Sequence, residues 1–190
     1  MRRQAVMNQL AGFIIRFFAP VSGQTISAML KALDQVQASG SDRVTLLLST
    51  GGGATDQGIT AHNYLRACPL KVTSVNMGQV ASIGSAIYCA GESRLTMPNA
   101  RFGFHPNTFN INNQRLGINQ LDEKANQLRV GHEAIASIVL AATNLSFDDA
   151  RSLINEHRSL TAIDAKECGL AHKIEEYSIA DGSKIIDIPS

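Results

Sequence analysis

The 190-residue sequence predicts an α/β fold with a mainly parallel sheet. Two observations carry that prediction. Short β-branched and aliphatic runs alternate with segments whose apolar residues recur every three or four positions, a β-α-β-α-β-α rhythm that calls for right-handed crossovers. A glycine-rich turn, Ser49–Gly53, also follows one apolar run, and small residues around Ser82 follow another, both at strand-to-helix junctions.

The elements follow in order. Gly12 to Phe18 is aromatic and β-branched and is bounded by Pro20 and Gly23, so it reads as a first strand. Arg2 and Arg3 ahead of the apolar stretch Ala11–Ala19 mimic a short signal peptide, but Arg16 interrupts that stretch. Ile26, Met29, Leu30 and Leu33 give a helix ending before Gly40. Val44 to Leu48 is a continuous apolar run, short enough for a buried strand; residues 59 to 66 are helical, Lys71 to Val75 form another buried strand, and Ala81 to Ala90 return to helix. Arg101 to Phe104 reads as a strand that Pro106 ends.

Beyond residue 117 the pattern changes. Ile118, Leu121, Ala125, Leu128, His132, Ile135, Val139 and Ala142 alternate steps of three and four, which predicts one long helix. A helix of that length in a small domain is expected to project and to meet a neighbouring subunit. Ser146-Phe-Asp-Asp149 and Thr161-Ala-Ile-Asp164 each have capping-box spacing, so Asp149 and Asp164 are assigned to helix starts rather than to catalysis.

Composition narrows the function. Lys plus Arg number 17 against 16 Asp plus Glu, a net charge of +1, so no basic field invites nucleic acid or an anionic membrane. No apolar run approaches the roughly 18 residues of a membrane span. Cys68, Cys89 and Cys168 are odd in number and share no CxxC spacing, which fits reduced thiols, no metal site and a cytoplasmic setting. The length suits a single domain over residues 1–190.

Three motifs bear on chemistry. Ser49-Thr50-Gly51-Gly52-Gly53 follows a strand and precedes a helix, where backbone N–H groups can face an anion. Gly53 to Thr60 has the spacing of a phosphate-binding loop, but Ile59 stands where the lysine must be, which argues against nucleotide binding. An oxyanion hole or a plain tight turn remains. Ala81-Ser82-Ile83-Gly84 places a serine between strand and helix; alone it reads equally as a helix cap, and as a nucleophile it needs a base and oxyanion donors. Of five histidines, packing explains His62 and His132, and His172 falls in a terminal strand region. His105 stands at a strand end, where a general base is commonly presented.

In order along the chain, Ser49–Gly53 with Gly58, Met77-Gly-Gln-Val-Ala-Ser-Ile-Gly84, Met97-Pro-Asn-Ala-Arg101, Phe104-His-Pro106, and Leu160-Thr-Ala162 with Glu167-Cys-Gly-Leu170 resemble the landmarks of the ClpP peptidase family. The resemblance runs from about residue 12 to 175. It implies a ClpP/crotonase-like fold, with a head over about 12–105 and 145–180 and a projecting handle over about 107–143. It implies Ser82 as nucleophile, His105 as base, and the N–H groups of Gly53 and Ile83 as oxyanion hole. The implied activity is serine-type endopeptidase hydrolysis of extended or unfolded peptides, without cofactor, inside a homo-oligomer of stacked rings, with substrate added as a strand beside residues 107 to 114.

Four departures qualify that expectation. The family's third catalytic residue, an Asp, aligns with His157; Glu156 and Asn155 are the neighbouring candidates for its role. Gly51 replaces a proline. The segment between Ser82 and His105 is two residues short, with the loss assigned to a surface turn near Glu92-Ser-Arg94. An ATP-driven AAA+ unfoldase is the partner the family implies, and the short stretch before the first strand counts against it. Two further readings stay open: a catalytically weak or inactive subunit for assembly or regulation, which His157 favours, and a crotonase-type acyl-CoA enzyme, against which the Ser82–His105 pair speaks.

Overall fold

A computed structural model describes residues 11–108 and 115–189; Arg2, Arg3 and most of the 107–114 segment expected to receive substrate lie outside the described residues. The strands are β1 (Phe13–Phe17), β2 (Arg43–Thr50), β3 (Lys71–Ala81), β4 (Ser93–Thr96), β5 (Arg101–Gly103), β6 (Ser159–Thr161), β7 (Lys173–Ile174) and β8 (Lys184–Asp187). They form one sheet in the order β6-β5-β3-β2-β1-β8, with β4 pairing β3 and β7; all pairings are parallel except β5 with β6. The α/β class and the parallel sheet agree with the sequence.

The apolar run in β2 is explained by burial on both faces. Leu46 and Leu48 point toward helices α1 (Gly23–Ala38), α2 (Thr55–Ala67) and α3 (Gly84–Cys89), joining Phe17, Met29, Leu33, Leu65 and Ile87 in the main core. Leu47 points the other way and packs with Ile14, Val75 and Leu95, partly covered by Met77 and Tyr177. Helix α1 starts at a capping box in which Ser22 and Thr25 exchange side-chain and backbone hydrogen bonds, and Gly40, at φ +80°, turns the chain beyond its end.

β3 is longer than its apolar stretch. Its first half pairs with β4 and its second half, from Gln79 to Ala81, with β5. Between the halves the register with β2 slips, so that Leu48 opposes Asn76 but Thr50 opposes Val80. The wholly buried Asn76 spans the slip: its Nδ2 donates to the Arg101 carbonyl at 2.9 Å, and its Oδ1 accepts from the Gly78 N–H at 3.1 Å. This irregularity carries the end of β3 to the site.

Helix α4 (Ile118–Ala142) has 25 residues. Only its C-terminal half is anchored, through Gly131, Ile135, Ala136 and Val139; near its start Ile118 is 77% exposed and Leu121 44%. Helices α5 (Phe147–Asn155) and α6 (Ala162–Glu167) begin at Ser146 and Thr161, whose hydroxyls accept from the Asp149 and Asp164 N–H groups. Both aspartates are cap residues, as their spacing predicts. The Thr161 hydroxyl and N–H hold the Asp164 carboxyl below its ordinary range.

Of the segment Glu92-Ser-Arg94, only Glu92 is an exposed bend; the surface turn does not extend to Ser93 and Arg94. Ser93–Thr96 is strand β4, and Arg94 is 9% exposed. Its guanidinium donates to the carbonyls of Leu170, Gly91, Ala142 and Gly169, tying the end of α4 to the sheet. The pattern misleads because a charged residue reads as solvated, whereas this one has neutral oxygens at every donor face.

Candidate active site

The expected helix over Ala81 to Ala90 is shorter than predicted: β3 continues to Ala81, and α3 begins only at Gly84. Ser82 sits in the elbow between them at φ +54°, a left-handed conformation uncommon outside glycine, and Ile83 takes the cap position. It is therefore not an ordinary N-cap serine. Its N–H donates to the Gly103 carbonyl at 2.8 Å, and its own carbonyl accepts from the Ser85 N–H and hydroxyl at 3.0 and 2.6 Å. With both backbone groups tied, the strained elbow is held in place.

The glycine turn lies against that elbow. Gly52 and Gly53 have φ of +94° and +150°. A Cβ on Gly52 would fall 2.6 Å from Ser82 Cβ and 3.2 Å from its Oγ, so bare backbone is what lets the turn approach the hydroxyl. Val21 clamps the turn from outside, its N–H donating to Gly52 O and its carbonyl accepting from the Ala54 N–H, both at 2.8 Å. Among the described residues no acceptor takes the N–H of Gly53 or of Ile83. Two N–H donors with no acceptor among the described residues, next to a serine, are the kind of groups an oxyanion hole requires.

His105 reaches this region along β5. Gly103, two residues before it, is the residue that binds the Ser82 N–H. Among the described residues no hydrogen bond joins Ser82 Oγ to the imidazole; such bonds commonly tighten only when substrate is bound. The ring's Nδ1 lies 2.9 Å from the Pro106 carbonyl oxygen.

The antiparallel β5–β6 register, with Gly103 opposite Ser159, continues through a 2.8 Å bond from the Phe104 N–H to Arg158 O and sets His157 opposite His105. Their ring centroids are 6.4 Å apart, with planes inclined by 27°. His157 has φ +53° just past the end of α5, where the Arg158 N–H reaches back to Leu153 O. Glu156 accepts a 2.5 Å bond from Ser152 on the helix's own surface, and Asn155, the last residue of α5, is exposed. Among the described residues no carboxylate hydrogen-bonds His105.

The other histidines are placed elsewhere. His62 Nδ1 meets Ala86 O at 2.8 Å, and burial lowers its pKa; His172 accepts from the Arg94 N–H at 3.2 Å, and burial lowers its pKa as well. His132 lies on α4, its Nε2 buried and unpartnered among the described residues. Sequence reasoning overlooked the Pro106 carbonyl, since a backbone acceptor leaves no signature in residue type.

With a strand-to-helix serine, a glycine turn and a strand-end histidine in place, the comparison with known proteins is decisive: the profile of the Clp protease family matches residues 2–178. The chain belongs to the Clp protease family. Curated relatives within it include the ATP-dependent Clp protease proteolytic subunit 3 of Rhizobium johnstonii, 25% identical over 162 residues, covering 84% of this chain and 82% of that one. The protein of the same name from Rhizobium etli is 24% identical over the same coverage. A solved ClpP1 mutant from Listeria monocytogenes superposes with a TM-score of 0.76 at 23% identity, covering 86% of this chain and 91% of the other, and so shares the Clp protease fold.

Proposed function

We propose that this Clp protease family member is a serine-type endopeptidase acting on extended or unfolded peptides. The observation that supports the reading most is the Ser82 elbow at φ +54°, flanked by the Gly52–Gly53 turn and reached through Gly103 from the strand bearing His105. In the proposed reaction His105 Nε2 takes the Ser82 proton as Oγ adds to the peptide carbonyl. The N–H groups of Gly53 and Ile83 receive the resulting oxyanion. His105 then gives the proton to the leaving amine. The acyl-enzyme is hydrolysed when His105 takes a proton from the attacking water and passes that proton to Ser82 Oγ as the acid product leaves.

The head would comprise residues about 12–105 and 145–180 and the handle about 107–143, which includes α4, all in one domain. The exposed Ile118, Leu121 and Val130 on α4 suit a homo-oligomer of stacked rings enclosing the sites. Free cysteines suit a cytoplasmic setting, and among the described residues no helix is long and apolar enough to cross a membrane. The proteins named above as ATP-dependent make an ATP-driven unfoldase a candidate partner.

A second reading is favoured by one observation: no carboxylate holds His105 among the described residues, as a weak or inactive regulatory subunit would allow. Cleavage of an unstructured, internally quenched peptide by the assembled protein separates the two. Turnover that disappears in Ser82→Ala supports the peptidase. Absence of turnover in the parent, with assembly intact, supports the regulatory subunit.

A further inference from the structure

We infer that the Pro106 carbonyl oxygen is the positioning group of the site, standing in for an acid that no described residue supplies and fixing His105 in the tautomer that a general base needs. The inference rests on the peptidase reading for its catalytic meaning, though not for its geometry. A carbonyl oxygen only accepts, so its 2.9 Å contact requires Nδ1 to carry the hydrogen. A neutral imidazole has one ring hydrogen, and Nε2 is then left with a free lone pair. That is the nitrogen assigned above to remove the Ser82 proton.

The competing groups are otherwise disposed. The His157 ring lies 6.4 Å from that of His105, centroid to centroid, and no hydrogen bond joins the two among the described residues. Glu156 is bonded to Ser152. Asn155 is exposed and makes no side-chain hydrogen bond among the described residues. The Pro106 carbonyl, by contrast, is the acceptor that His105 Nδ1 meets, and the chain leading to His105 is anchored by the Phe104–Arg158 bond.

The consequence for rate has two parts. Replacing a catalytic acid by an amide costs about four orders of magnitude, because the imidazole then takes the wrong tautomer. A backbone carbonyl keeps the right tautomer but carries no negative charge to offset the imidazolium. The site should therefore be slower than one with a carboxylate, yet well short of the amide-substituted loss.

The test is magic-angle-spinning NMR of the full assembled chain with isotope-labelled histidine rings, His105 being assigned by its absence from His105→Gln. Neutral His105 should show a protonated Nδ1 and an unprotonated Nε2. An Nε2-protonated ring, or an even mixture, overturns the inference. Fluorophosphonate labelling of Ser82 supplies the second readout. His157→Gly should keep both the tautomer and the labelling rate, the latter within about threefold. A fall of about a hundredfold there, or a tautomer change, would make His157 the orienting group and overturn the inference. Pro106→Gly, which frees the carbonyl, should mix the tautomers and slow labelling by about tenfold. An Nδ1-protonated parent that never labels would support the positioning claim while removing the peptidase reading.

Discussion

His105 and His157 lie opposite each other at the end of the β5–β6 pair, with ring centroids 6.4 Å apart, where a base and its carboxylate partner would be expected to meet. A carboxylate at 157 would offset the imidazolium charge that the Pro106 carbonyl cannot. His157→Asp is therefore expected to raise the rate of Ser82 acylation by about tenfold or more. Aspartate also tolerates the left-handed backbone at that position. Stopped-flow labelling of parent and variant measures the gain, and an unchanged or slower rate would show that residue 157 is not aimed at the base.

Gly58 should be indispensable for a reason unrelated to its own flexibility. A Cβ there would lie 2.2 Å from Ile83 Cγ1, inside van der Waals contact with the residue after Ser82. Gly58→Ala is expected to destabilise the fold by about 2 kcal/mol and to slow Ser82 labelling as Ile83 is displaced. Urea unfolding and labelling of the folded fraction would check the two effects; a neutral result in both would mean that α2 gives way without moving the elbow.

Arg94 serves four carbonyls from within the core. Arg94→Met leaves those acceptors buried and unpaired, at an expected cost of about 3 kcal/mol, more than a surface arginine would show. Thermal unfolding measures this, and a loss within experimental error would mean that water reaches the carbonyls.

Acid should weaken the fold through His62. Burial lowers its folded pKa below the ordinary 6.5, so the unfolded chain takes up a proton that the folded chain refuses. Stability is then held above about pH 6.5 and falls as pH drops through that value. His62→Asn should flatten the pH dependence of urea midpoints between about pH 7 and 5.5. An equal slope in parent and variant would assign the acid sensitivity to other groups, His172 first.

Much of this was legible from residue order. The runs at Phe13–Phe17 and Val44–Leu48, the periodicity of α1 and α4, and the caps at Ser146 and Thr161 all formed where local chemistry placed them. What escaped was set by tertiary contacts. Beyond its apolar stretch β3 continues through Asn76, Gly78 and Gln79, which carry no strand pattern, and Asn76 bridges the register slip there. The left-handed Ser82 is held by bonds to Gly103 and Ser85, and β8 is a short, largely exposed strand that pairs with β1. Within the site, residue types pointed to Ser82, His105 and the glycine turn, whereas the group touching His105 Nδ1 is a carbonyl that every residue possesses.

The central claim is that Ser82 is an activated nucleophile. Its most direct test is treatment of the assembled protein with a fluorophosphonate, followed by peptide mapping of the adduct. A single adduct on Ser82, absent from Ser82→Ala and at least about a hundredfold slower to form in His105→Ala, is the predicted result. An inert Ser82 in the assembled particle, or labelling that His105→Ala leaves unchanged, would contradict it.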